Sequence, residues 1–195
     1  MALSCVVIHQ GEKWIQQKNA EEVCSYHLDW EGNESGAVAV TGSTAEVSKL
    51  NARYALLMDA DNRRVLFEKS GYEKVPMAST TKIMTLIVTL ENANLEDLVT
   101  VSEYAASMPD VQLNMKKDEQ YRLGDLVYSL MLESHNDTAV AIAEHVGGSV
   151  EGFAAMMNEK AKELGAYDTN FVTPNGLDAD GHYTTAVSYT HLTLP

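Results

Sequence analysis

The sequence predicts an α+β fold in which strands are flanked by helices and a helical subdomain is inserted. Apolar extended segments come first, a block of helical segments follows, and the chain returns toward extended structure at residues 170–176. The 195 residues are enough for one domain with a sizeable core. A content of 45% hydrophobic and 22% charged residues is that of an ordinary globular protein.

The first strands are expected in a β-hairpin. Residues 54–58 are apolar, residues 59–62 are rich in turn-forming side chains, and residues 65–67 are apolar again. Residues 1–45 have no clear period and are expected to form an irregular leader, which ends in a stretch rich in Gly, Ser and Thr. The apolar residues 1–8 lack a preceding basic residue, so no signal peptide is recognised.

The middle of the chain has helical periodicity. From Ser79 onward, Ile83, Leu86, Ile87 and Leu90 recur at helical spacing and predict a deeply buried helix. Three further helices are expected at residues 123–133, 137–145 and 150–164, with glycines at their ends, and a weaker strand at residues 97–102. No apolar run approaches the roughly 18 residues that a membrane-spanning helix needs.

The net charge and the spacing of the Cys and His residues argue against nucleic acid, metal ions and cofactors as partners. The 14 Lys and Arg against 28 Asp and Glu give a net charge of -14, which opposes binding to nucleic acid. Cys5 and Cys24 fit no zinc spacing, and a disulfide between them stays open. Neither metal nor cofactor is expected, since no metal-binding spacing occurs among the histidines, which are His9, His27, His135, His145, His182 and His191.

Ser79 and Lys82 are the first candidates for chemistry. They are three residues apart at the start of a predicted helix. Their side chains are therefore expected on one face of that helix, within hydrogen-bonding distance of each other. A neutral lysine in that place can take the proton of the serine, and burial together with the positive end of the helix lowers a lysine pKa. The pattern S-x-x-K also occurs by chance in proteins of this length. For this motif taken alone, the favoured interpretation is therefore that Ser79 only caps the helix.

Ser134 and Asn136 are the second pair of candidates. They lie between two predicted helices, where a short loop would present both side chains to one cleft. Capping of the following helix is an equally good interpretation of this pair taken alone. Together with Ser79 and Lys82, however, they reproduce two signatures of β-lactamases and penicillin-binding proteins in the same order.

The surrounding residues resemble the low-molecular-mass D-alanyl-D-alanine carboxypeptidases, from about residue 50 to residue 186. The resemblance rests on Pro-Met-Ala-Ser-Thr-Thr-Lys-Ile-Met-Thr at 76–85, on Ser-His-Asn-Asp-Thr-Ala at 134–139, and on the stretches 158–165, 169–178 and 181–183. It implies a serine β-lactamase/DD-peptidase-like fold, with an antiparallel sheet flanked by helices. Residues 46–186 would then be an incomplete domain of this kind.

The resemblance also implies roles. Ser79 would attack the carbonyl between two D-alanines of a peptidoglycan stem peptide, and Lys82 would accept its proton. Ser134 would relay a proton to the leaving D-alanine, and Asn136 would bind the substrate amide. β-Lactam antibiotics would be inhibitors, and the location would be the outer face of the cytoplasmic membrane, the periplasm or the cell wall. A serine β-lactamase, a non-catalytic penicillin-recognising domain and an endopeptidase remain alternatives, although no E-x-x-L-N loop of a class A β-lactamase follows Asn136.

Two departures from the family pattern concern the end of the chain. The third signature, K-T-G, lies beyond residue 195, so the fold is expected to be incomplete at the C-terminus, with an unpaired edge on the hairpin, and the chain itself inactive. Residues 187–195 alternate like a strand and are expected to be a foreign tail.

Overall fold

The structure is a computed structural model that describes residues 3–8, 26–28, 34–37, 50–59 and 63–192. These residues form two compact units. Unit 1 combines the described residues up to Lys74 with those from Thr185 onward, and unit 2 is the continuous segment Val75–Thr184. In the sequence, unit 2 is therefore inserted between two parts of unit 1.

Unit 1 contains a five-stranded sheet with the strand order β1-β4-β5-β2-β3. Its strands are β1 (Leu3–Ile8), β2 (Tyr26–Leu28), β3 (Glu34–Ala37), β4 (Tyr54–Asp59) and β5 (Val65–Lys69). β4 and β5 pair antiparallel and confirm the predicted hairpin. Leu56, Met58 and Val65 of this hairpin share one buried cluster, which explains why these segments are apolar.

Two expectations about the beginning of the chain are wrong. β1, β2 and β3 are extended, so the first 45 residues do not form a uniformly irregular leader. The hairpin also does not expose a free edge along β4, because β1 pairs parallel to all six residues of β4, and β2 pairs antiparallel to β5 at Tyr26 and Val65. The free N–H and C=O groups of an edge strand accept any extended segment that reaches them. Such pairing joins residues distant in sequence and leaves no local pattern that could predict it.

Unit 2 is mainly helical. It begins with the 3-10 turn Ala78–Thr80 and continues with α1 (Thr81–Asn92), α2 (Glu103–Ala106), α3 (Leu123–Leu132), α4 (Asn136–Gly147) and α5 (Val150–Glu163). The four long helices lie where periodicity predicted them. Within the described ranges, no helix has both the length and the hydropathy needed to cross a membrane.

A small antiparallel sheet accompanies the helices of unit 2. β6 (Leu98–Thr100) confirms the weak strand of the sequence analysis, and it pairs with β7 (Gln120–Arg122), which was not predicted. The three residues of β7 are polar or half-exposed and therefore have no alternation of apolar side chains. Only the pairing with β6 makes this segment a strand.

The centre of unit 2 is α4, whose first eight residues are all buried. Its side chains pack with those of α3 and of the small sheet in one apolar cluster. α1 differs from expectation: Ile83, Leu86 and Ile87 are only half-buried, and Leu90 is 51% exposed. The buried face of α1 instead carries Thr81, Lys82, Met84, Thr85, Val88 and Thr89. Periodicity located the helix, but the side chains packed against it decide which face is covered.

The end of the chain is helical and not strand-like. α6 (Ala186–Leu192) belongs to unit 1, and its residues Ala186, Tyr189 and Leu192 are buried. Thr185 precedes the helix and acts as its cap, because the Ser188 N–H donates to Thr185 Oγ1 over 3.0 Å. Capping and burial override the preference of Val, Tyr and Thr for strands, so the strand-like prediction for residues 187–192 is wrong.

Candidate active site

The candidate nucleophile, Ser79, lies in the 3-10 turn that precedes α1. Its neighbour Met77 is 2% exposed and anchors the turn in the core, while Ser79 itself is exposed. Ala78 has a φ of 48°, a left-handed conformation that is strained for a residue with a Cβ. The helix cap position belongs to Thr80, which makes no side-chain capping bond, so the structure gives no support to Ser79 as a simple cap.

Lys82 is the buried cation of the site. Its side chain is on the covered face of α1, and the residue is 2% exposed. Nζ lies 3.3 Å from Ser79 Oγ, 2.9 Å from Asn136 Oδ1 and 2.8 Å from the Asn175 carbonyl oxygen. Among the described residues it forms no ion pair with a carboxylate. Burial therefore dominates and lowers the pKa of Lys82 to about 8.

The three partners of Lys82 orient its amine. A neutral amine has two hydrogens and one lone pair, whereas the amide oxygen of Asn136 and the carbonyl of Asn175 can only accept hydrogen bonds. If both hydrogens go to these two oxygens, the lone pair is left for the third partner, Ser79 Oγ. The protonated amine donates to Ser79 Oγ over 3.3 Å, and the neutral amine, with its lone pair on the same side, can accept the serine proton.

Asn136 is held at both ends of its amide. It begins α4 and is 5% exposed. Its Nδ2 donates to the carbonyl oxygens of Pro109 and Asp110, each over 3.1 Å, so that Oδ1 must face Lys82. The next residue, Asp137, accepts hydrogen bonds from the backbone N–H groups of Leu113 and Met115. The pair Asn136 and Asp137 therefore anchors the segment from Pro109 to Met115 beside the site.

Ser134 lies at the junction between α3 and α4 with a φ of 61°. It is half-buried, and its hydroxyl makes no hydrogen bond within the described residues. The structure therefore does not join Ser134 to Lys82 or Ser79 as it joins Asn136. Neither does Ser134 cap α4, since the cap position of that helix is His135 and no side chain bonds there.

The loop at residues 172–177 supplies backbone acceptors to the site, which no sequence pattern had indicated. Besides the Asn175 carbonyl, the Pro174 carbonyl accepts from Thr85 Oγ1 over 2.6 Å, so this loop lies along α1. Gly176 has a φ of 84°, and a Cβ there would lie 1.9 Å from the Ala78 carbonyl oxygen. The Asn-Gly pair was a visible signal of a tight turn, but a backbone acceptor for Lys82 has no side-chain signature.

The sequence of the chain matches a known protein family. The family model described as D-alanyl-D-alanine carboxypeptidase matches residues 41–194. The chain belongs to this family. The match includes residues 187–194, and the foreign origin of that segment stays a prediction.

Relatives and solved structures support the same family and confirm the predicted fold class. D-alanyl-D-alanine carboxypeptidase DacF of Bacillus subtilis is 39% identical over 140 residues, which are 69% of this chain and 36% of that protein. The carboxypeptidase DacD of Francisella tularensis has a TM-score of 0.70 at 29% identity, covering 86% of this chain and 41% of its own. For penicillin-binding protein D2 of Listeria monocytogenes in its cefotaxime-bound form, the TM-score is 0.64 at 27% identity, over 74% of this chain and 61% of that one.

Proposed function

We propose that this protein is a serine-type D-alanyl-D-alanine carboxypeptidase, in which Ser79 is the nucleophile and Lys82 the general base. The proposal rests above all on one observation. The buried Lys82 Nζ lies 3.3 Å from Ser79 Oγ, while two obligate acceptors take its hydrogens. The chain spans 36% of the length of its Bacillus relative.

The proposed reaction begins with attack of Ser79 Oγ on the carbonyl carbon between the two terminal D-alanines. The serine proton passes to Lys82, and the backbone N–H of Ser79 stabilises the developing oxyanion. The C–N bond then breaks, and the proton that Lys82 took from Ser79 passes through Ser134 to the leaving D-alanine nitrogen, so that Lys82 is neutral again. Water attacks the resulting ester of Ser79 and gives one proton to Lys82. The shortened stem peptide leaves as its acid, and the proton returns from Lys82 to Ser79 Oγ.

The proposed substrate is a peptidoglycan stem peptide that ends in D-Ala-D-Ala, and the proposed inhibitors are β-lactams. Their strained amide presents a similar carbonyl to the same nucleophile, and the Listeria relative is known in a cefotaxime-bound form. Since peptidoglycan lies outside the cytoplasmic membrane, we propose the outer face of that membrane, the periplasm or the cell wall as the location.

Because the 195 residues alone are expected to be inactive, the test of this function uses a completed protein that also carries the third signature, K-T-G, and this completed protein is the parent in every experiment below. Labelling with a fluorescent penicillin tests the function. We expect one adduct per molecule, and mass spectrometry of the digested protein should place it on the peptide that contains Ser79. The same sample should release D-alanine from a stem pentapeptide, and an assay with a crosslinked dimer determines whether it is also an endopeptidase. An adduct on another residue would contradict the assignment of the nucleophile, and rapid turnover of penicillin without D-alanine release would favour a β-lactamase.

Two substitutions at Ser134 separate its proposed proton relay from a structural role. Ser134→Ala and Ser134→Gly both remove the hydroxyl, but only glycine tolerates a φ of 61° without strain. We expect equal losses of D-alanine release, while Ser134→Gly should be more stable than Ser134→Ala by about 1 kcal/mol. Urea unfolding and turnover measured on the same samples check this. Unchanged turnover in both variants would mean that Ser134 takes no part in the reaction.

A further inference from the structure

His182 is a buried histidine whose hydrogen-bonding partners determine its tautomer. The residue is 5% exposed. Its Nδ1 accepts from the backbone N–H of Val172 over 3.0 Å and from that of Thr173 over 3.4 Å. Backbone N–H groups can only donate, so Nδ1 carries no proton. The neutral ring must then carry its hydrogen on Nε2, which lies 3.0 Å from Thr81 Oγ1 and donates to it.

The surroundings of the ring keep it neutral. Burial lowers the pKa of His182, and this outweighs the opposing effect of the Asp178 carboxylate. The edge of the ring packs against Phe171, with the ring centroids 6.1 Å apart and the planes inclined by 67°. A second proton on Nδ1 would break both bonds to the backbone, so the charged ring does not fit this place.

The two ring nitrogens of His182 contact two different segments, and each of these segments also positions Lys82 or one of its partners. Thr81 is the residue immediately before Lys82 in α1. Val172 and Thr173 begin the loop whose Asn175 carbonyl accepts from Lys82 Nζ over 2.8 Å. His182 is thus a side-chain link between the first turn of α1 and the loop that covers the lysine.

We propose that His182, through Thr81 and the loop at residues 172–177, is a positioning residue for Lys82. It keeps the loop against α1, so that the amine stays dry and its hydrogens stay directed at Asn175 and Asn136. Thr85 also holds the loop through its bond to the Pro174 carbonyl, but without the His182 link the loop is held less firmly. Water then reaches Nζ, and the pKa of Lys82 rises toward its ordinary value. The inference rests on the proposed function only for the statement that Lys82 is a catalytic base.

Three substitutions test the link without relying on activity. His182→Phe keeps an aromatic ring but has no nitrogen. Thr81→Val removes only the hydroxyl that accepts from Nε2. Thr89→Val is the matched control, because Thr89 is a buried threonine of the same helix whose hydroxyl donates to the Thr85 carbonyl of its own helix and not to the loop.

The decisive measurement is the titration of Lys82, followed by NMR of protein labelled at the lysine side-chain carbon next to Nζ. The Lys82→Arg variant identifies the signal. We expect a pKa of about 8 in the parent and in Thr89→Val. In His182→Phe and Thr81→Val, the neutral fraction of Lys82 near neutral pH should fall by about tenfold or more, since each pKa unit is a factor of ten. Nitrogen NMR of the parent imidazole should show the proton on Nε2.

His182→Gln offers one acceptor and one donor group in a similar place, so it should restore most of the neutral fraction that His182→Phe loses. The proposal is overturned if the Lys82 titration is the same in Thr81→Val as in Thr89→Val, or if the parent ring carries its proton on Nδ1. If His182→Phe does not fold, Thr81→Val still decides between these outcomes.

Penicillin acylation, measured beside the titration, separates this inference from the proposed function. A parent that is not acylated, but whose Lys82 responds to Thr81→Val, would refute the function and support the positioning role. A parent that is acylated, but whose Lys82 does not respond, would support the function and refute the positioning role. If both the proposed function and the positioning role are correct, acylation should be about 10²-fold slower in His182→Phe and Thr81→Val than in the parent, because the amine is misplaced.

Discussion

Replacing Lys82 by arginine is expected to slow acylation of Ser79 by at least about 10²- to 10⁴-fold, the range typical for loss of a general base. Arginine keeps the positive charge, but its guanidinium cannot lose a proton and so cannot accept one from the serine. The parent should show an acylation rate that rises with pH through about 8, because only the neutral amine is a base. Stopped-flow labelling with a fluorescent penicillin over a range of pH measures both effects.

Two companion variants make the Lys82 result interpretable. Lys82→Met is close in length and removes the amine without adding bulk, so it should be as slow as Lys82→Arg. Ser79→Ala should give no covalent adduct at all and sets the background. Acylation of Lys82→Arg within about threefold of the parent would show that another group takes the serine proton, since the expected loss is at least about 10²-fold.

Replacing Gly176 by alanine should damage both stability and acylation. The added Cβ would lie 1.9 Å from the Ala78 carbonyl oxygen and 2.9 Å from Thr81 Oγ1, and the backbone φ is 84°. A left-handed conformation costs about 1 to 2 kcal/mol and forced overpacking about 1 to 3 kcal/mol, so we expect a loss of about 2 to 5 kcal/mol in the free energy of unfolding. Because the clash displaces the turn that carries Ser79, acylation should fall by about 10²-fold as well.

Gly148→Ala is the matched control for this clash. Its φ is 73°, close to that of Gly176, but a Cβ there would meet nothing within 4 Å. It should lose only the conformational part, about 1 to 2 kcal/mol, and acylation should stay at the level of the parent. Urea unfolding and penicillin labelling of both variants measure the difference. Equal losses of unfolding free energy and of acylation in the two variants would show that Gly176 does not approach the Ala78 carbonyl oxygen as closely as the structure indicates.

Local patterns in the sequence were enough to identify the elements that carry the candidate site. The helical period after Ser79 located α1, and the three-residue spacing placed Lys82 one turn from Ser79, the proposed nucleophile. The predicted helix junction at Ser134 and Asn136 also lies where the structure has it. These features depend on neighbours within one or two turns of helix, so they are present in any short window of the sequence.

Contacts between distant parts of the chain could not be predicted in this way. The sequence alone did not show that the Asn175 carbonyl and the Asn136 amide both accept from Lys82, because any residue type supplies a carbonyl and because residues 82, 136 and 175 are far apart in sequence. The contacts of His182 were not predicted for the same reason: a single histidine has no spacing to recognise. Contacts with distant segments likewise decide which face of α1 is buried and which strands pair with the hairpin.

The sequence by itself therefore determined the helices and the hairpin of an α+β fold, the pair Ser79 and Lys82, and the family to which they point. Only the tertiary structure decided that Lys82 is buried beside two obligate acceptors and forms no ion pair with a carboxylate of the described part of the chain. The pKa of about 8 follows from that environment. The physical reason is that hydrophobic period and turn chemistry act over a few residues, whereas desolvation depends on every segment that packs around a group.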